Sequence, residues 1–241
     1  MKFYFQLKTP HNKLFADIAE TIINTYPIGV QRESKEYNSY PGIKKIDAIV
    51  EQSMTNNKKF NKPWRDFLIK IRKSINSRIH NIGMASEFSF TGELILERYK
   101  DDSLVREKKI IFVVSLLGPY FTIYGVDETA IKDKIEQHDI AYKAINVITV
   151  SPFKEFEKHF ILLKLAIEQE FADYKFVPFK VTTLYIEGVQ PPYSNLTECT
   201  IYGALFNNSF DYRHIPSPFR GDINYGSEQS NITVRLQPPP A

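Results

Sequence analysis

Glu155 and His159 stand one helical turn apart, a spacing that lets a carboxylate orient an imidazole. A catalytic or metal-bound histidine needs a second group as well, and none of His11, His80, His138, His159 and His214 lies at ligand spacing from another. His138-Asp139 also sets an imidazole beside a carboxylate, in a charged segment where solvation accounts for both. Ser151-Pro152-Phe153-Lys154 places an amine one turn beyond a hydroxyl, the order in which a lysine activates a serine. The companion motifs Ser-Asp-Asn and Lys-Thr-Gly are absent, so a helix-capping serine is expected there. Glu107-Lys108-Lys109, close to Asp101 and Asp102, has the acid-acid-lysine order that metal-dependent nucleases use. Charges flanking a buried strand give the same pattern, and that is the reading taken. Cys199, the single cysteine, has no neighbouring His or Lys and reads as a buried structural thiol. The glycines match neither a dinucleotide fingerprint nor a phosphate loop. No enzyme emerges with named roles, and no cofactor and no metal is expected.

Two stretches are suited to binding. The helical segment 58–78 sets Trp64 and a row of isoleucines inward and leaves Arg65, Lys70, Arg72 and Lys73 on its outer faces, a surface that attracts phosphate or acidic protein patches. The segment 203–226 mixes Phe206, Phe210, Tyr212, Phe219 and Tyr225 with Arg213, His214 and Arg220, a composition that suits either an interface core or a cover packed back over the sheet. Arg65, Lys70, Arg72, Lys73, Tyr212, Arg213, His214, Phe219 and Arg220 are therefore the candidate partner-binding residues. The expected function is a non-catalytic binding protein acting through a protein partner with an acidic surface, such as an immunity-type protein of a bacterial toxin system. The alternatives are an enzyme whose site is assembled from scattered residues such as His159, His138, His214 and Arg213, and a nucleic-acid binder using the basic helix.

The composition bounds these readings. The 241 residues are 43% hydrophobic and 24% charged with a net charge of +3, which fits a globular chain and gives no global argument for nucleic acid. The apolar patch after Met1 is too short for a signal-peptide core, and one cysteine permits no intrachain disulfide, so the expected location is the cytoplasm. The Lys, Ile, Asn, Phe and Tyr usage points to an AT-rich, bacterial source. The longest uncharged run, inside Lys108–Thr129, carries Gly118-Pro119 at its centre and is rich in β-branched and aromatic residues. It reads as two buried strands joined by a bend, with no membrane span.

The elements that must position these residues follow from periodicity. A strand is expected over Lys2–Lys8. A helix opened by Pro10 and Asn12 carries Leu14, Phe15, Ile18 and Ile22. A loop runs from Gln31 to Gly42, and a helix carries Ile43, Ile46, Ile49 and Val50. After a solvated connector, one stripe of Trp64, Leu68, Ile71, Ile75, Ile79 and Ile82 predicts a helix reaching Gly83. Alternation in Phe88–Tyr99 predicts a strand with one wet face, and a turn at 100–103 returns it as a hairpin. A helix or lid is expected at 128–139, a strand at 143–150, and a helix from Ser151-Pro152 through Phe156, Phe160, Leu163 and Ile167. Strands are expected at 181–186, 199–206 and 231–236. The fold class is α+β, with amphipathic helices packed on a mostly antiparallel sheet of about six to eight strands. The chain forms one domain, helix-rich over 1–84 and sheet-rich over 85–236, with a disordered tail at 237–241. Its oligomeric state is left open.

Overall fold

The structure is a computed structural model and describes residues 2–8, 12–132, 140–192, 199–207 and 218–227. It is an α+β fold. Five helices come first: α1 (Lys13–Thr25), α2 (Lys35–Ser39), α3 (Pro41–Thr55), α4 (Asn57–Phe60) and α5 (Lys62–Ile75). A meander of five strands follows: β1 (Arg78–Asn81), β2 (Ser89–Lys100), β3 (Leu104–Ser115), β4 (Tyr120–Lys132) and β5 (Ile140–Thr149). A 3-10 turn at Lys154–Phe156 leads into α6 (Glu157–Glu170). Short elements complete it: β6 (Lys175–Phe176), α7 (Phe179–Thr182), β7 (Tyr185–Ile186), β8 (Cys199–Thr200), α8 (Ile201–Leu205) and β9 (Phe219–Arg220).

The seven-stranded sheet runs β1-β2-β3-β4-β5-β9, antiparallel through β5. Strand β9 joins β5 in parallel, and β6 joins β4 in parallel at Tyr120 and Phe121, just beyond the point where β5 leaves it. The uncharged run becomes the centre of this sheet, as its composition dictates. Ile110–Val114 of β3 and Phe121–Ile123 of β4 are buried on both faces, a demand that only strands with two covering layers can meet. On one face they pack with Phe15, Ile18 and Ile22 of α1, Ile43 and Ile46 of α3, and residues of α7 and α8. On the other they pack with Trp64, Phe67, Leu68 and Ile71 of α5 and Phe160, Leu163 and Ile167 of α6. We call these the α1 face and the α5 face. Among the described residues, no helix is long and apolar enough to cross a membrane.

Several expected elements are corrected by local chemistry. The isoleucine stripe of α5 ends early, because Asn76 takes the left-handed conformation (φ 51°) and its N–H closes the helix on the Arg72 carbonyl. Ile79 stays in the same core cluster from a strand, while Ile82 is exposed. Ser151 does not cap a helix. Its hydroxyl accepts the Asp222 N–H at 2.8 Å, and α6 begins six residues later. The N-terminal stretch makes one isolated bridge, Tyr4 to Tyr185, in place of a strand. The predicted loop 31–42 and the connector after α3 contain the short helices α2 and α4. Pro178 starts a helical turn, so only Tyr185–Ile186 of the expected strand 181–186 forms. Thr200 caps α8 by accepting the Gly203 N–H, so only Cys199–Thr200 of the expected strand 199–206 forms. Residues 128–132, expected in a helix or lid, extend β4, and their charges are explained below. Residues 133–139 and the segments 231–236 and 237–241 lie outside the described residues.

Candidate functional site

The core clusters cover only half of the long strands. They take Ile110–Val114 from β3 but nothing from Leu104–Lys109. In that outer half, both faces of the sheet carry charge.

On the α1 face, five consecutive strands each contribute one side chain to a ladder. His80 Nδ1 of β1 lies 3.2 Å from Glu93 Oε1 of β2, and Glu93 Oε2 lies 3.2 Å from Lys109 Nζ of β3. Lys109 donates at 2.7 Å to Glu128 of β4, which also meets Lys143 of β5 at 3.1 Å. Lys109 and Glu128 are buried, whereas His80 and Lys143 reach solvent. Glu107, opposite Glu128 in register, is held by Arg98 at 3.0 Å. Burial disfavours the Lys109 ammonium, but hydrogen bonds and charge from Glu128 and Glu93 outweigh it and leave its pKa raised. A lysine held charged in this way is in the wrong state for a nucleophile or base at neutral pH, so the ladder is a frame.

The α5 face carries a second network. Asp127, buried beside Gly125 in β4, accepts from Arg106 Nε at 3.1 Å and Nη2 at 2.9 Å, and from Asn146 Nδ2 at 3.0 Å. Asn146 arrives there because it forms a bulge in β5, where Asp127 pairs with Val147 and Glu128 already pairs with Ile145. Burial raises the Asp127 carboxyl, and the Arg106 and Asn146 bonds more than reverse it. Lys108 meets Glu97 at 2.9 Å and Glu155 at 3.2 Å, and Arg220 binds Glu155 at 2.9 Å and the Thr149 hydroxyl at 2.7 Å. Glu155 is pushed up by burial, yet bonds from its own N–H, Arg220 and Lys108 hold it at about 2. The β2–β3 turn is fixed by Asp101, whose Oδ1 accepts the Ser103 and Leu104 N–H groups at 2.7 and 2.8 Å. Those two bonds lower its pKa to about 2.

Beyond these networks the α5 face is open. Register sets Tyr99 beside Arg106 and Leu104 beside Ile131 beside Tyr142. Tyr99 and Tyr142 are each 61% exposed and Ile131 is 47% exposed. Arg106 lies between them, its Nε and Nη2 fixed on Asp127 and its remaining edge outward. Two rings, a branched aliphatic and a clamped guanidinium form a patch of the composition that dominates protein interfaces. Sequence reasoning passed over these four residues. Tyr99 and Arg106 were within reach, since they lie three residues to either side of the Asp102–Ser103 pair at the centre of the turn and a hairpin pairs such positions. Ile131 and Tyr142 were not, because they require β4 to run through the charged segment.

The residues singled out from sequence are dispersed. Arg65 donates to the Lys58 carbonyl of α4, Arg72 to the Ile79 carbonyl, and Lys70 to Glu170 of α6 at 2.8 Å. Lys62 and Asp66 pair within α5. Arg65 and Arg72 thus bond to carbonyls without an ion pair, and Lys58, Lys59 and Lys73 have neither an ion pair nor a side-chain hydrogen bond among the described residues. Lys73 lines an open depression with Asp66, Ile69, Lys70 and Ser74. Phe219 stacks edgewise on Phe179 at 5.4 Å, and Arg220 lies over the Phe156 ring at 4.9 Å with its donors engaged as described. Tyr212, Arg213, His214 and His138 lie outside the described residues. His159 does not pair with Glu155. Its Nδ1 is buried with no hydrogen-bond partner among the described residues, and burial, then Lys158, lowers its pKa. Cys199 is buried, which pushes its thiol well up. Among the described residues no group of three or more His, Cys, Asp or Glu is arranged to hold a metal ion.

Because most cations of α5 serve the fold, we expect elution from heparin below about 0.2 M salt, where a multi-phosphate contact would persist. The triple change Lys58→Glu, Lys59→Glu, Lys73→Glu should move that elution little. Retention at higher salt that vanishes in the triple variant would restore a nucleic-acid role.

Fold and site together define an α+β protein with a mostly antiparallel sheet and a charged outer half. No protein-family model, no curated protein and no solved structure matches the chain.

Proposed function

We propose that this chain is a non-catalytic binding protein whose partner is another protein, docking on the outer half of the α5 face. The observation that supports this reading is the exposed group Tyr99, Arg106, Ile131 and Tyr142 on strands that two charge networks hold rigid where the helices do not reach. Glu97 is paired with Lys108 and Asp127 with Arg106, so these charges balance, and what they leave for a partner is the set of N–H donors on the Arg106 guanidinium that Asp127 does not use. The fitting partner brings apolar side chains between the tyrosines and a carboxylate to Arg106. An immunity-type protein of a bacterial toxin system, which neutralises by stoichiometric docking in the cytoplasm, is the concrete form of this reading.

The protein, tagged and expressed in its native cell, should retain one partner at about equal stoichiometry, and hydrogen exchange in the complex should slow at 99–106 and 129–132. Tyr99→Ala with Tyr142→Ala should weaken the purified partner's binding about 100-fold or more, as two exposed aromatic anchors at ~1.5–2 kcal/mol each imply. Thermal stability should stay near that of the parent, because both rings are exposed. A partner that binds the double variant as tightly as the parent, or the lack of any stoichiometric partner, rejects the reading.

A further inference from the structure

Helix α6 is apolar on two opposite sides. Phe160, Leu163 and Ile167 face the sheet and are buried. Ile161, Leu162 and Leu165, on the far side at 100° per residue, are 41%, 38% and 57% exposed. A surface helix of a globular protein normally keeps one apolar stripe and turns charge outward, and a helix apolar all round is covered on both sides. Exposed Ile69 on neighbouring α5, joined to α6 through Lys70–Glu170 and the Phe67–Phe171 ring contact, adds to the same helical layer.

We propose that this outward face of α6 is the contact between two copies of the chain, with the two α6 helices antiparallel about a twofold axis. The charges flanking the apolar stripe select both the occupant and its orientation. Lys158 stands at the start of the stripe and Glu168 near its end. A twofold axis beside Leu163 places Lys158 of one copy against Glu168 of the other, twice, and Ile161 against Leu165. A parallel pairing would set lysine on lysine and glutamate on glutamate. Glu168 Oε1 is held by Lys164 of its own helix, leaving Oε2 for the second copy. The surface is thus complementary to itself, the property a closed dimer needs. Three apolar side chains per copy make a small contact, so the dimer is weak, with a dissociation constant on the order of 10 μM. This surface is separate from Tyr99 and Tyr142, so either proposal can fail without the other.

Sedimentation equilibrium of the full chain, over roughly 1–500 μM to bracket that constant, is the test. The parent should pass from monomer to dimer. Leu165→Glu should remain monomeric with an unchanged melting curve, as the side chain is exposed. Lys158→Glu should weaken association about tenfold, by losing two exposed pairs and gaining two like-charge contacts. Lys158→Glu combined with Glu168→Lys should bring it back to within about twofold of the parent, and this swap keeps the test valid if Leu165→Glu folds poorly. A parent that stays monomeric throughout overturns the proposal, as does a dimer that Leu165→Glu leaves intact. A dimer insensitive to Lys158→Glu overturns the antiparallel pairing.

Discussion

Replacing Lys109 by Met should destabilise the protein by about 3–5 kcal/mol, the usual cost of breaking a buried ion pair from one side. The methionine fills the same volume, so the loss is electrostatic: Glu93 and Glu128 keep their charges on a buried surface, helped only by the half-exposed His80 and Lys143. Urea unfolding would show the drop at pH 7. Adding Glu128→Leu should recover part of it, since removing both charges of a buried pair is close to neutral. The pH profile carries the sign. Lys109 has a folded pKa raised above its ordinary 10.5, so its contribution is present below that value and fades as pH rises through the folded one. The parent should therefore lose stability above about pH 10.5 by an increment that Lys109→Met lacks. On the acid side Glu155 and Asp101, each held at about 2, contribute above their ordinary values of 4.5 and 3.8, and that contribution is lost as pH falls toward 2. Lys109→Met should keep this acid limb. A variant as stable as the parent at pH 7 would mean that the ladder is not a frame.

Gly125→Val should cost about 3 kcal/mol although valine is the better strand former. A Cβ at position 125 would meet the Phe156 ring at 2.4 and 2.6 Å and the Thr149 Cβ at 2.9 Å, all well inside contact distance. Phe156 is fully buried and lies under Arg220, so the ring cannot swing away without disturbing the Glu155–Arg220–Lys108 network. Strand propensity spans about 1 kcal/mol and overpacking about 1–3 kcal/mol or more, so the clash decides the sign. The double change Gly125→Val, Phe156→Ala should be less destabilised than the two single changes summed, because the valine then occupies space the ring vacated. Additive losses would show that the ring does not rest on this glycine.

The parts of the fold legible in the sequence are those set by local chemistry. Asn12 caps α1 by accepting the Phe15 N–H, Phe15, Ile18 and Ile22 fall on one side of it, and Asp101 folds the β2–β3 turn from two residues away. The strand pair around Gly118-Pro119 and the stripe of Phe160, Leu163 and Ile167 needed only composition and period. Where two local codes overlapped, the chain used the one that closed hydrogen bonds. The α5 stripe continued to Ile82 in the sequence, but Asn76 ended the helix. Ser151 looked like a cap, but it serves Asp222 across 71 positions.

What tertiary structure alone decided is which charges meet. Thr91 and Glu93 are the polar residues of the alternating pattern in β2, which by itself puts them on its wet face, yet Thr91 is buried against Asn207 and Glu93 is drawn into the ladder with Lys109. The irregular pairing between Ile95 and Glu97 moves Glu97 to the side of Leu94, and the bulge at Asn146 turns that side chain onto Asp127. A shift of one residue in a strand moves every later side chain to the other face. The sequence by itself therefore determined the inner strands, the main helices and the α+β class, because periodicity and turn chemistry are local. The ladder, the clamped Arg106 and the Tyr99–Ile131–Tyr142 face depend on register between strands, which pairing across the whole sheet fixes and no short window contains.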